Sequence, residues 1–264
     1  CDGNKPKVLT FYSFKGGMGR TTALAASAMI LAQKGKTVLA VDTDVEAPGL
    51  FSIFFDDGQI QMGTVDFLVE YQADPSYAPD MREYLTSVDG TALKAEIEGD
   101  IYVIPAGKMD EQYLSKLARI DYQDTTPNGM RSALCRLIEQ AVSFIESFGK
   151  PVDYVLLDAR AGFHDMGGVI TVQIPHGIVL LGRDNPQSWN GMKEVIRLAA
   201  SAQADAVPIA IVDSMHNGFT GTSQQRESFK IQAYTLCCDG YYMDEVPGID
   251  ADGEAHSPIY VSYQ

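Results

Sequence analysis

The chain has few cysteines, few histidines and no long apolar run. Only 4 of its 264 residues are cysteine and 4 are histidine. Cys1, Cys135, Cys237 and Cys238 have no C-x-x-C spacing, so we predict free thiols and no zinc site. No stretch approaches the roughly 20 apolar residues of a membrane-spanning helix, and the first residues lack a signal-peptide core. We therefore expect a cytoplasmic protein with no membrane partner.

Basic residues are also scarce. The chain has 20 Lys and Arg against 35 Asp and Glu, which gives a formal net charge of -15. This charge disfavours nonspecific attraction to nucleic-acid phosphates, and no Lys/Arg-rich block opposes it locally. We do not expect nucleic acid among the partners.

Apolar, β-branched runs alternate with helical patterns through the whole chain. "KVLTFYSF", a glycine-rich turn, "TTALAASAMILAQKG" and "KTVLAVDTD" together read as strand, loop, helix and strand, which is a parallel βαβ unit. The later predicted strands are "DIYVIPAG", "VDYVLLDARAG", "GIVLLG", "VPIAIVD" and "YYMDEVP", separated by further helical stretches. The pattern predicts one α/β domain over residues 1–264, a doubly wound, mostly parallel sheet with helices on both faces. A helical insertion is predicted within about 50–100.

The glycine-rich stretch "FKGGMGRTT" carries the strongest functional signal. The standard phosphate-binding pattern is G-x-x-x-x-G-K-[ST], but Phe14 stands at the first glycine and Arg20 at the lysine. The three glycines would allow positive φ and bring backbone N–H groups close to phosphates at a helix N-terminus. The predicted nucleotide-binding residues of the loop are Gly16, Gly17, Met18, Gly19, Arg20, Thr21 and Thr22.

Carboxylates end two of the predicted strands. Asp42 and Asp44 end the second strand, and Asp158 ends a later one. Ligands bind at the carboxyl ends of the strands in a doubly wound sheet, and Mg²⁺ takes one or two carboxylates with several waters. We predict Thr21, Asp42 and Asp158 as the Mg²⁺ site and Asp44 as the residue that orients an attacking water. The alternative is an ordinary strand-to-helix turn with aspartates that merely end strands.

These residues resemble a known family. "KGGMGRTT" is similar to the deviant Walker A motif of the ParA/MinD family of P-loop ATPases, K-G-G-x-G-K-[ST]-[ST], whose special lysine is Lys15 here. "VDTDVEAPGL" and "DYVLLDARAG" resemble the family's second acidic motif and its Walker B strand. The resemblance is closer to a subgroup with a "KGGVGR" loop, and it extends from about Lys7 to Ser201.

The resemblance implies ATP and Mg²⁺ as ligands and a nucleotide-dependent homodimer. In such a dimer Lys15 reaches the phosphates bound by the partner subunit, so the implied catalytic residues are Lys15, Arg20 and Asp44. "VPGIDADG" is similar to the loop that borders the adenine, which makes Pro247 and Ile249 base neighbours and Asp213 a polar contact. Without the resemblance, Lys15 would be interpreted as a solvated loop lysine.

The sequence departs from the family pattern in places. Arg20 keeps the positive charge and can bind phosphate through its planar fork, but its bulk differs from that of lysine. We therefore expect binding to survive more surely than fast hydrolysis. Ala159 and Ala161 replace hydroxyl residues of the subgroup pattern, and Arg160 is either a γ-phosphate or interface residue or part of a surface ion pair.

The leading hypothesis is a Mg²⁺-dependent, slowly hydrolysing ATP switch that dimerises with nucleotide and acts on an unknown protein partner. A partition-type DNA-positioning ATPase is an alternative that the acidic composition disfavours. A bacterial tyrosine kinase is suggested by Tyr260 and Tyr263 near the end of the sequence. A nucleotide-binding module that has lost hydrolysis is suggested by Arg20.

Overall fold

In the computed structural model, the described residues are 5–55, 60, 62–88, 96–122, 129–159, 172–201, 205–216, 223–243 and 245–262. They contain eight strands: β1 (Lys7–Ser13), β2 (Thr37–Asp42), β3 (Thr86–Ser87), β4 (Asp100–Ile104), β5 (Tyr154–Asp158), β6 (Gly177–Gly182), β7 (Ile209–His216) and β8 (Ile259–Ser262). Their order in one sheet is β3-β4-β2-β5-β1-β6-β7-β8. The predicted α/β class with a mostly parallel sheet is confirmed.

Seven α-helices lie between these strands in the described part of the chain. They are α1 (Arg20–Gln33), α2 (Leu50–Phe54), α3 (Thr64–Ala73), α4 (Tyr113–Leu117), α5 (Met130–Glu146), α6 (Pro186–Ser201) and α7 (Ser223–Gly240). α5 is amphipathic, because its buried residues recur at the three- and four-residue spacing of one helix face. No described helix is both long and apolar enough to cross a membrane.

The chain divides into two compact units. The first consists of Cys1–Leu9 and Thr21–Arg160. Within it, β2 pairs in parallel with β4 and β5, and every residue of β2 is buried, as is typical of a central parallel strand. The register places Asp42 opposite Asp158 at the carboxyl ends of β2 and β5.

The second unit consists of Thr10–Arg20 and Ala161–Gln264. In it β7 pairs in parallel with β6 and with β8, so that Gly182, Asp213 and Tyr260 are aligned on the three strands. Trp189 of α6 packs on Phe229 of α7, with ring centroids 4.5 Å apart. These aromatic contacts form part of the unit's core.

Some local predictions need correction. The described residues of "YYMDEVP", which exclude Asp244, are not a strand, because α7 continues to Gly240 and the chain then turns. The last strand of the sheet is β8 instead. The segment predicted as a helical insertion contains α2 and α3, and it also contains β3, which pairs antiparallel with β4 and was not predicted. The predicted free thiols are confirmed for Cys135, Cys237 and Cys238, while Cys1 lies outside the described residues.

Candidate functional site

The glycine loop joins the end of β1 to the start of α1. Gly17 and Gly19 have φ values of 73° and 71°, a left-handed conformation that favours glycine. A side chain built at Gly16, Gly17 or Gly19 would meet no atom within 4 Å among the described residues. The loop therefore exposes its backbone on an open surface, next to the N-terminus of a 14-residue helix. This geometry suits close approach by phosphate oxygens.

Phe14, which stands in place of the first glycine of the standard pattern, packs against α6. A Cβ atom added to Gly191 would lie 2.1 Å from Cγ and 2.4 Å from Cβ of Phe14. Only a residue without a side chain fits at this position of α6. The Phe14 ring is thus a structural anchor of the loop within the second unit.

The two cations of the loop have different environments. Lys15 is half-buried, and its carbonyl accepts a hydrogen bond from Ser13 Oγ at 2.9 Å. Arg20 is buried, with 7% of its surface exposed. Burial raises the pKa of the neighbouring Tyr12 to about 12, and the charge of Arg20 partly opposes this rise. Arg20 is therefore a fixed cation at the start of α1, and half-buried Met18 lies between the loop glycines.

Thr21 and Thr22 occupy the first turn of α1. Thr22 is exposed, whereas Thr21 is half-buried. The Thr21 methyl group lies 3.9 Å from the position that a Cβ of Gly49 would take. Thr21 is thus next to Gly49 in the segment that follows β2, which is the segment that contains Asp44.

Asp42 is fully buried at the end of β2. Its Oδ1 accepts the N–H of Asp44 at 3.1 Å, and its Oδ2 accepts those of Gly49 at 3.2 Å and Leu50 at 3.1 Å. Burial, together with the nearby charge of Asp158, raises the pKa of Asp42 from 3.8 to about 8, although hydrogen bonds from the backbone oppose the rise. A divalent cation would offset the repulsion between two such buried carboxylates.

Asp158 is also fully buried, and its backbone is held by Thr43, the residue that follows β2. Its carbonyl accepts hydrogen bonds from the N–H of Thr43 at 3.1 Å and from Thr43 Oγ1 at 2.6 Å. No group of three or more His, Cys, Asp or Glu side chains in the described residues is arranged to hold a metal ion. A pair of carboxylates suits Mg²⁺, which takes its remaining ligands from water and phosphates.

Asp44 is buried two residues beyond Asp42, with 6% of its surface exposed. Its Oδ1 accepts the N–H of Ala47 at 3.3 Å, a local turn contact. The next residue, Val45, offers its carbonyl to the hydroxyl of Tyr113, which donates at 2.7 Å. The segment that contains Asp44 is therefore held by a local turn and by a side chain of α4 in the first unit.

The predicted base-contact residues lie in the second unit. Asp213 is buried in β7 opposite Tyr260 of β8, and its charge adds to the effect of burial in raising the pKa of Tyr260. Pro247 and Ile249 are half-buried in the segment between α7 and β8. A turn bond from Ala251 N–H to the Gly248 carbonyl, 2.9 Å long, shapes that segment.

Several other sequence candidates can be placed. Tyr260 is part of β8, where its hydroxyl donates to the carbonyl of Arg226 at 2.9 Å, so it is not a free tail tyrosine. Trp189 is buried, and its Nε1 donates to Asp184 at 2.8 Å. Ala159 is buried. Arg160, Ala161 and Tyr263 lie outside the described residues.

The sequence reasoning missed three residues that shape the candidate site: Thr64, Tyr113 and Gly191. Thr64 Oγ1 donates to the carbonyl of Asp42 at 2.7 Å. Nothing in the local pattern marks these residues, because each acts through a contact with a distant segment of the chain.

Solved structures share this fold at low sequence identity. The septum site-determining protein MinD of Pyrococcus horikoshii OT3, complexed with Mg-ADP, is 18% identical, with a TM-score of 0.58 over 86% of this chain and 77% of that one. A complex of Cyanothece McdA, carrying one substitution, with ATP is 13% identical, with a TM-score of 0.58 over 89% and 81%. ParA of pNOB8, bound to nonspecific DNA, is 17% identical, with a TM-score of 0.56 over 98% and 86%.

These similarities establish an α/β P-loop fold. No curated protein matches the chain. Residues 9–253 match the sequence model of the CobQ/CobB/MinD/ParA nucleotide-binding domain, so the match covers most of the 264 residues. The chain therefore belongs to the CobQ/CobB/MinD/ParA nucleotide-binding domain family.

Proposed function

We propose that the protein is a Mg²⁺-dependent ATP switch that hydrolyses ATP slowly, dimerises with nucleotide and acts on a protein partner. The observation that carries this proposal is the glycine loop. Two left-handed glycines and an open surface at the start of α1 form a backbone cradle for phosphates. The family match, which includes this loop, supports nucleotide binding.

In the proposed reaction, the loop N–H groups hold the β- and γ-phosphates of ATP. Lys15 and Arg20 offset the negative charge of the transferred phosphate, and Asp44 orients a water molecule for in-line attack on the γ-phosphorus. The bond between the γ-phosphorus and the bridging oxygen breaks, and ADP leaves with that oxygen. Catalysis then depends on positioning and charge rather than on a covalent intermediate.

Thr21, Asp42 and Asp158 are the residues of this chain that would hold Mg²⁺. When bound, the ion neutralises phosphate charge and supplies Lewis-acid chemistry. Both oxygens of Asp42 already accept backbone N–H groups, which favours contact with the ion through water. The raised pKa of Asp42 means that its carboxyl group tends to stay protonated, and a nearby cation would favour the ionised form.

The slow turnover and the dimer belong to the same proposal. Arg20 is buried at the start of α1, so its planar group has little freedom to follow the phosphate during the reaction. Lys15 precedes the loop glycines and is proposed to reach the nucleotide of a second copy, as the family resemblance implies. Pro247, Ile249 and Asp213 are proposed to border the adenine.

The decisive experiment measures ATP binding, ATP hydrolysis and molar mass in solution with Mg²⁺. The variants are Lys15→Ala and Asp44→Ala, with Lys34→Ala, an exposed lysine just after α1, as the matched control. We expect the parent and the control to bind ATP, dimerise and turn over. Asp44→Ala should bind and dimerise but lose turnover by about 100-fold or more, and Lys15→Ala should lose both the dimer and turnover. If the parent does not bind ATP, the proposal is wrong.

A nucleotide-binding module without hydrolysis is the second candidate, and the buried Arg20 favours it. In the same experiment it would bind ATP and dimerise without phosphate release, and Arg20→Lys would then restore turnover. A partition-type function predicts salt-sensitive binding to duplex DNA. With a net charge of -15, we expect no such binding at about 0.1 M salt.

A further inference from the structure

Helix α4 contacts the segment that follows Asp44. Tyr113, the first residue of α4, is buried with 3% of its surface exposed, and its hydroxyl donates to the Val45 carbonyl at 2.7 Å. Val45 is fully buried, so its carbonyl has no access to solvent. The two residues are 68 positions apart in sequence. The contact is therefore a tertiary restraint on the peptide group between Val45 and Glu46, close to Asp44.

The helix that provides Tyr113 is itself anchored. Lys116 Nζ lies 2.7 Å from Oδ1 of buried Asp66 in α3, and Oδ2 of the same carboxylate accepts the N–H of Gly63 at 2.8 Å. The Tyr113 ring lies 3.1 Å from the position that a Cβ of Gly107 would take. An ion pair and close ring packing thus fix the position from which the Tyr113 hydroxyl donates.

Asp42 and Tyr113 hold different parts of the segment from Asp44 to Leu50. Asp42 holds its ends, through the N–H groups of Asp44, Gly49 and Leu50. Tyr113 holds the Val45 carbonyl, close to the start of the segment. Loss of the Tyr113 hydrogen bond would release the Val45 carbonyl while both ends of the segment stay bound to Asp42.

We propose that Tyr113 is a positioning residue that fixes the Asp44 carboxylate for water activation. The proposal rests on the proposed ATPase function, in which Asp44 orients the attacking water. In this role Tyr113 acts through the Val45 carbonyl. Burial raises the pKa of Tyr113, and the charges of Asp42 and Asp66 raise it further, so its hydroxyl remains a donor throughout the neutral range.

The test removes this one hydroxyl with Tyr113→Phe. Tyr84→Phe is the matched control, because Tyr84 is also buried in the first unit and its hydroxyl pairs with that of Tyr77 at 3.0 Å. Each variant loses one phenolic hydrogen bond of a buried tyrosine, so similar losses of thermal stability are expected. The measurements are kcat and KM for ATP, and amide hydrogen exchange of the peptide that covers Asp44–Leu50.

We expect Tyr113→Phe to lower kcat about three- to tenfold with KM nearly unchanged, since one hydrogen bond that orients the catalytic group is lost. Exchange of the Asp44–Leu50 amides should become faster by a similar factor. Tyr84→Phe should change neither. Equal changes of kcat in the two variants, or an unchanged exchange rate in Tyr113→Phe, would overturn the proposal.

The exchange measurement separates this inference from the proposed function. If the parent shows no hydrolysis, the ATPase proposal fails, and the exchange rates still decide whether Tyr113 restrains the segment. Faster exchange in Tyr113→Phe alone would support the restraint. The same rate in the parent and both variants would overturn it even if the parent is an active ATPase.

Discussion

Replacing Gly191 with alanine tests the contact between α6 and the glycine loop. The added Cβ would lie 2.1 Å from Cγ, 2.4 Å from Cβ and 2.5 Å from Cδ2 of Phe14, all within the 3.0 Å at which an atom must move. Rotation of the Phe14 side chain cannot relieve this, because its Cβ is attached directly to the backbone. The backbone of the loop or of α6 has to shift.

Two effects of opposite sign set the size of the change. Alanine is a better helix former than glycine by about 1 kcal/mol, which favours the variant. Overpacking of a tight contact costs about 1–3 kcal/mol, or more when backbone must move. Since backbone must move here, we expect the second effect to win, with the free energy of unfolding lowered by about 1–2 kcal/mol. A displaced Phe14 also displaces the loop glycines that follow it, so ATP affinity should fall about three- to tenfold.

The assay combines urea unfolding with titration of a fluorescent ATP analogue. Asn190→Ala is the matched control, an exposed position of the same helix. Phe14→Gly removes all three clashing atoms, so the double variant Phe14→Gly/Gly191→Ala should be more stable than the sum of the single changes predicts. Additive single effects, or a Gly191→Ala variant as stable as the parent, would refute the argument from close packing.

Two further predictions concern charge and backbone strain. The fold raises the pKa of Asp42 from 3.8 to about 8. Between these pH values the folded chain keeps the Asp42 proton, whereas the unfolded chain has lost it. Without Mg²⁺, the free energy of unfolding should therefore fall as the pH rises from about 4 to about 8. Asp158→Asn should flatten this slope in urea unfolding with EDTA, and an equal slope would contradict the assigned cause. Gly19→Ala should lower the free energy of unfolding by about 1–2 kcal/mol and weaken ATP binding, because the φ of Gly19 is 71°. Gly16 has open space around it and no positive φ, so Gly16→Ala should leave the free energy of unfolding nearly unchanged. Equal losses in the two variants would show that φ is not the cause.

The parts of the fold that the sequence predicted are those encoded by local pattern. β2 is a continuous apolar run, and α1 follows three glycines within four positions, so both could be assigned without tertiary information. The strand assigned to "YYMDEVP" was wrong, because an aromatic pair after a helix does not distinguish a strand from a turn. The two-residue strand β3 is too short to leave any periodic signal.

In the candidate site, too, some features follow from local sequence and others only from tertiary contacts. The sequence by itself determined the places of the glycine loop and of the strand-end carboxylates, because strand ends and glycine turns are set by neighbours in the chain. The tertiary structure alone decided that Phe14 packs on Gly191, and that Asp42 accepts three backbone N–H groups. It also decided that Tyr113 holds Val45 across 68 positions. Such contacts depend on which surfaces meet when the chain packs, and no local pattern carries that information.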